Sequence, residues 1–283
     1  MRLMMIHCAA WVKLDRMTQP DLFTRFRAAL GPDPAPALHA GLIGHGVPVD
    51  GPFGPHPLVY ADYVASQQLH TQSQQQYLKR TTRRTTVEIA QHAVLQYLHG
   101  PAPSSIEDSP AFQDFCSHLA ARLAEVDQHQ LSSPQIHHGY VDQLRPPVIH
   151  PPSLEHPTSL PRGAFWTADM IDHDTDTWSL YEGDLLLGDR HVFHFSAADV
   201  NVAVIDSPKS WGALVHEFPA MLSGITYPDW PAAARKYDAV YLTITGLLTA
   251  HSPNLPPNVA GVAEWSAVSA AWLKLPESAE LAT

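Results

Sequence analysis

Two adjacent histidines, His137 and His138, stand directly before Gly139 and Tyr140. An imidazole can move a proton near neutral pH, hold a hydroxyl group or ligate a metal. The chain has 18 histidines, so spacing must choose among them. His191 and His194 flank Val192 and Phe193, and on a strand they would point to opposite faces and could not share an ion. No His-Glu-x-x-His helix motif is present. Asp172-His173-Asp174-Thr175-Asp176 begins like a calcium loop, but Thr177 stands where the sharp-turn glycine is required and Gly183 where the bidentate glutamate belongs. It reads as an acidic turn, and no metal is expected. The basic run Lys79, Arg80, Arg83 and Arg84, with Thr81, Thr82, Thr85 and Thr86 among it, could contact phosphates. Its alternative is the solvated start of a helix. A Gly-x-Ser-x-Gly elbow, a phosphate loop and a dinucleotide fingerprint are all missing.

These residues need elements to position them. Six of the seven tryptophans (Trp166, Trp178, Trp211, Trp230, Trp265 and Trp272) fall in the second half. Buried tryptophans remove much apolar surface from water, so the core is expected there. Six prolines between 145 and 162 mark a linker or wrapping segment. The expected organisation is α+β: a helical, partly irregular region over 1–145, a Pro-rich linker over 146–162, and a compact Trp-rich mixed α/β domain over 163–283. Helices are expected over 84–98, with Val87, Ala90, Val94 and Leu98 on one face, and over 110–130. Ser207 followed by Pro208 reads as the cap and first turn of another. Residues 165–171, 178–188, 191–196 and 200–206 read as strands, and 239–250 as a β-rich run.

The net charge of -11 disfavours general nucleic-acid binding unless charge is segregated. Two cysteines, Cys8 and Cys116, are too few for a disulfide framework or a thiolate zinc site, which fits the cytoplasm. The start is a poor signal peptide, Met17 is as good an initiator as Met1, and no apolar run approaches the ~20 residues of a membrane span.

Residues 42–66, LIGHGVPVDGPFGPHPLVYADYVAS, locally resemble the N-terminal segment of class V aminotransferases. His70-Thr71-Gln72-Ser73 and Thr81-Thr82-Arg83 resemble later motifs of that family, so the likeness spans 42–83. The family's chemistry needs a cofactor lysine in a Ser/His-His-Lys setting. None of the five lysines has that setting, so pyridoxal phosphate is not expected.

Residues 163–273 resemble an uncharacterised group of bacterial proteins in the order of Phe165-Trp166-Thr167-Ala168, Trp178-Ser179-Leu180-Tyr181, Tyr237 to Thr243 and Glu264-Trp265 to Trp272-Leu273. Together with His138-Gly139, the layout is distantly similar to ADP-ribosyltransferases. That resemblance implies NAD as substrate, with His138 anchoring a ribose beside Gly139. It implies Trp166, Thr167, Ser179 and Tyr181 as substrate contacts and Glu264 as the catalytic acid. A carboxylate would stabilise positive charge that builds on the ribose. In the bacterial pattern the acid follows Trp by three residues. Here Val268 stands there and Glu264 precedes Trp265. On a strand that four-residue shift moves a side chain about 13 Å.

The reading is a NAD-binding, ADP-ribosyltransferase-like protein, with catalysis impaired if Glu264 does not reach the cleft. Its rivals are a non-enzymatic module binding an unknown protein partner through the same fold, and a nucleic-acid-associated protein using residues 79–84.

Overall fold

A computed structural model describes residues 82–99, 119–182, 188–250, 255–256, 258–262 and 265–282. The aminotransferase-like segment before Thr82, the Lys79-Arg80 end of the basic run and Glu264 lie outside them. So does the part of the 110–130 helix expectation before Leu119.

The fold is α+β. Helix α1 (Arg83–His99) is followed by a helical segment over 119–126, here α2. Strands β1 (Gln135–Gly139) and β2 (Phe165–Asp169) lead into α3 (Thr177–Glu182), and β3 (Asp189–His194) and β4 (Val202–Ile205) into α4 (Pro208–Glu217). A hairpin of β5 (Pro219–Leu222) and β6 (Ile225–Pro228), then α5 (Trp230–Ala233), connects to β7 (Ala239–Leu242). Then come α6 (Ile244–Thr249), β8 (Ser269–Trp272) and β9 (Glu280–Ala282).

Among the described residues seven strands form one sheet in the order β4-β7-β8-β2-β1-β3-β9. Only β4 and β7 pair in parallel; the other pairs are antiparallel. The parallel pair needs a crossover, which the stretch from α4 to α5 supplies. Strand β7 (Ala-Val-Tyr-Leu) is buried at every position, as a central strand covered on both faces must be.

One buried cluster holds Trp211, Trp230, Trp265 and Trp272 with Val87, Ala90 and Val94 of α1 and Leu119 and Leu123 of α2. Helices before the Pro-rich segment and strands after it thus share a core. A fully buried tryptophan removes enough apolar surface to contribute roughly 4 kcal/mol of transfer free energy. Trp211, Trp230 and Trp272 are all fully buried. The indoles also find acceptors: Trp211 donates to the Ala260 carbonyl and Trp230 to the Ser159 carbonyl.

Helix α4 starts as its sequence predicts. Ser207 accepts from the Ser210 amide and Pro208 occupies the first turn. One expected strand begins as a helix, and the β-rich run is a strand only over its first four residues. Thr177–Glu182 is α3, because Asp176 and Ser179 close its first turn. The 239–250 run splits after β7, because Thr243 caps α6 through the Gly246 amide. The Asp127 carboxylate accepts from the next two amides, Ile244 and Thr245, placing a negative charge at the positive end of that helix.

Candidate functional site around His138

The Gln135–Asp169 and His138–Arg190 pairings fix which side chains share a face of the sheet. Alternation places His138, Trp166 and Arg190 on one face and His137, Thr167, Asp169 and His191 on the other. Each face carries its own polar cluster.

On the first face, His138 Nε2 lies 2.9 Å from Asp176 Oδ2. Asp176 is fully buried and His138 is 9% exposed. The other carboxylate oxygen, Oδ1, accepts from the amides of Trp178 and Ser179, each at 3.0 Å. Ser179 Oγ accepts in return from the Asp176 amide. This reciprocal pair is a capping box, so the carboxylate that starts α3 is also the one that orients His138. Burial opposes the charge on Asp176. The hydrogen bond and charge of His138, the Ser179 amide and Arg190 outweigh it and hold the carboxyl below its ordinary range. Ionised Asp176 can only accept, so His138 Nε2 donates to it. The other ring nitrogen, Nδ1, has no hydrogen bond among the described residues.

Arg190 sits opposite His138 on β3, with Nε 3.6 Å from Asp176 Oδ2. Its Nε and Nη2 are buried and make no hydrogen bond among the described residues, while the side chain keeps 30% of its exposure. The half-buried Trp178 ring lies 6.2 Å from the His138 ring. Together these residues form a carboxylate-oriented imidazole, an incompletely paired guanidinium and an indole. They can bind a hydroxyl, an anion and a planar ring.

On the second face, Asp169 accepts from Arg83 Nη2 at 2.5 Å, Tyr241 Oη at 2.5 Å and Gln135 Nε2 at 3.0 Å. Gln135 Oε1 accepts from Thr167, and Thr167 accepts from Trp272 Nε1. Burial, then the charge and hydrogen bond of Asp169, push the Tyr241 phenol well above its ordinary value. Asp169 is 1% exposed, so this network joins α1 to four strands, β1, β2, β7 and β8, instead of meeting a substrate. Nearby, His137 stacks on Phe165 with ring centroids 4.3 Å apart and donates from Nδ1 to the Trp166 carbonyl. Burial, with His191 and His138 adding repulsion, lowers its pKa from 6.5 to about 4. It is neutral at physiological pH.

The structure therefore separates the residues singled out in the sequence. His138 and Ser179 meet at Asp176, and Trp166 shares the His138 face with its ring edge-on to Trp265 at 5.0 Å. Thr167 lies on the opposite face, fully buried. The Gly139 carbonyl accepts from His191 Nε2 at 3.0 Å. Gly188, at φ +98, approaches so closely that a Cβ there would lie 2.6 Å from Gly139. Tyr181 lies in α3, and nothing of its side chain is described. In the basic run, Arg83 is committed to Asp169, while Arg84 pairs with Glu88 and Asp172.

Asp176 enters the sequence reading only as part of an acidic turn, and Arg190 not at all. Asp176 followed three residues later by Ser179 is a legible capping signal. Nothing in the sequence pairs it with His138, 38 positions earlier. Among the described residues no group of three or more His, Cys, Asp or Glu is placed to hold a metal ion, and no helix is long and apolar enough to cross a membrane. No protein-family model, curated protein or solved structure matches the chain.

Proposed function

We propose that the chain binds a nucleotide of the NAD type at the His138 face. The observation that carries this reading is the His138–Asp176 pair beside the incompletely bonded Arg190. Asp176 fixes the imidazole so that Nδ1 can meet a ribose hydroxyl. Arg190 supplies positive charge for a phosphate, and a guanidinium suits phosphate better than an ammonium does. The half-buried Trp178 offers a planar face to the nicotinamide or adenine ring. Ser179 then acts through Asp176, as a positioning residue.

Turnover needs one more group. Asp176 is sealed behind His138, so the carboxylate that would stabilise positive charge on the ribose has to come from elsewhere. Glu264 is our assignment for that role, and the protein acts in the cytoplasm.

The test is thermal unfolding of the full chain with NAD, ADP-ribose or nicotinamide. NAD and ADP-ribose should both raise the midpoint, because both carry ribose and diphosphate. Nicotinamide alone should raise it less. Equal midpoints with and without millimolar NAD would refute the reading. Release of nicotinamide from NAD, lost on Glu264→Gln, would show that the bound nucleotide is also cleaved.

A further inference from the structure

The Pro-rich segment behaves differently from a linker. Pro146, Pro147, Pro151 and Pro152 fix their own φ near -65° and bias the residues before them toward extended geometry. Residues 145–152 accordingly form neither helix nor strand. Prolines so placed favour an extended, polyproline-like backbone and leave little conformational entropy to lose.

The segment is also fastened to the domain. The His150 amide donates to the Arg162 carbonyl at 3.0 Å. Gly163, at φ +83, packs against the Val148 carbonyl so closely that a Cβ would come within 1.9 Å of that oxygen. Only glycine fits there. Leu144 and Ile149 turn inward and pack on the core, and Pro152 is buried. Between these anchors Arg145, Pro146, Val148, His150 and Pro151 face outward.

The outward face is apolar where the fold does not require it. Five large hydrophobic residues are strongly exposed among the described residues. Two of them, Val148 (67%) and Leu154 (71%), lie on this stretch, and a third, Tyr140 (80%), lies just before it. Arg145 adds a cation at its N-terminal end and lines an open depression of about 370 Å³ with Tyr140, Asp142 and Phe165.

We propose that residues 145–154 are a pre-organised ligand for a partner protein whose groove is lined by aromatic side chains and flanked by an acidic residue. Exposed prolines and Val148 would seat between the aromatic rings, and Arg145 would pair with the acid. Holding the strap in its bound shape beforehand lowers the entropy cost of association. This proposal does not depend on the nucleotide reading.

The full chain should be titrated against an immobilised panel of proline-recognising domains of the SH3, WW and EVH1 classes. At least one should bind with a dissociation constant below about 1 mM. The variant Pro146→Ala/Pro151→Ala and the variant Val148→Asp should each weaken that binding at least tenfold. Arg145→Glu should weaken it and flatten its salt dependence. All substituted positions are exposed, so each variant should remain folded, with Pro146→Ala/Pro151→Ala lowering the unfolding midpoint only slightly, and the midpoint is measured alongside. Absence of binding across the panel would overturn the proposal. So would binding that none of these variants alters while they remain folded.

Discussion

Asp176 does two things with one carboxylate: Oδ2 receives His138 Nε2 at 2.9 Å, and Oδ1 closes the first turn of α3. The orientation of the imidazole and the start of the helix are therefore coupled. Asp176→Asn keeps an oxygen for the Trp178 and Ser179 amides but gives up the charge. It should cost about 1 kcal/mol, and Asp176→Ala, which also loses the cap and strands the His138 N–H, about 3 kcal/mol. Urea denaturation at pH 7 measures both. Equal costs would mean that the cap and the imidazole are not linked through this residue.

The pH dependence should fall in two separate windows. His137 has a folded pKa of about 4 against 6.5 when unfolded, so the unfolded chain takes up the proton first as pH falls. Stability should decline between pH 6.5 and 4 by up to about 3 kcal/mol, and this contribution should change no further below 4. Asp176 is shifted in the same direction but over a lower range: its carboxyl is held below the ordinary carboxylate value in the fold. Its contribution is present above the ordinary carboxylate value and is lost as pH drops through the lower folded value. His137→Asn retains a donor for the Trp166 carbonyl without titrating. It should flatten the upper window alone, read from unfolding midpoints across pH.

Arg83 and Asp169 join α1 to the sheet across 86 positions of sequence. Arg83→Met leaves a buried carboxylate with only Tyr241 and Gln135, and should destabilise by roughly 3 kcal/mol. The double variant Arg83→Met/Asp169→Asn should cost less than Arg83→Met alone, because the uncompensated charge has gone. A larger cost for the double variant would show that Asp169 is held mainly by its other partners.

Where the chain's own local chemistry decides, the sequence is readable. Ser207-Pro208 starts α4, and the Val87-Ala90-Val94 spacing of α1 does face the core. Trp178-Ser179-Leu180 alternates like a strand, but the Asp176–Ser179 cap makes it a helix. Ile244 and Thr245 are β-branched, yet Thr243 and Asp127 cap them into α6. For the site, His138 is conspicuous beside His137 and Gly139. Its partners Asp176 and Arg190 come from a helix start and a neighbouring strand, a register that only the folded sheet sets. The same register puts Thr167 on the far side of the sheet from His138, which no reading of adjacent letters reveals.

The most direct test of nucleotide binding at the His138 face is calorimetric titration of the full chain with NAD, for the wild type, His138→Ala and Arg190→Ala. The account predicts saturable binding by the wild type. At 100 times the dissociation constant it also predicts a gain of about 2.7 kcal/mol in unfolding free energy. Both variants should bind at least tenfold more weakly while remaining folded. No heat of binding at millimolar NAD, or wild-type affinity in both variants, would contradict it.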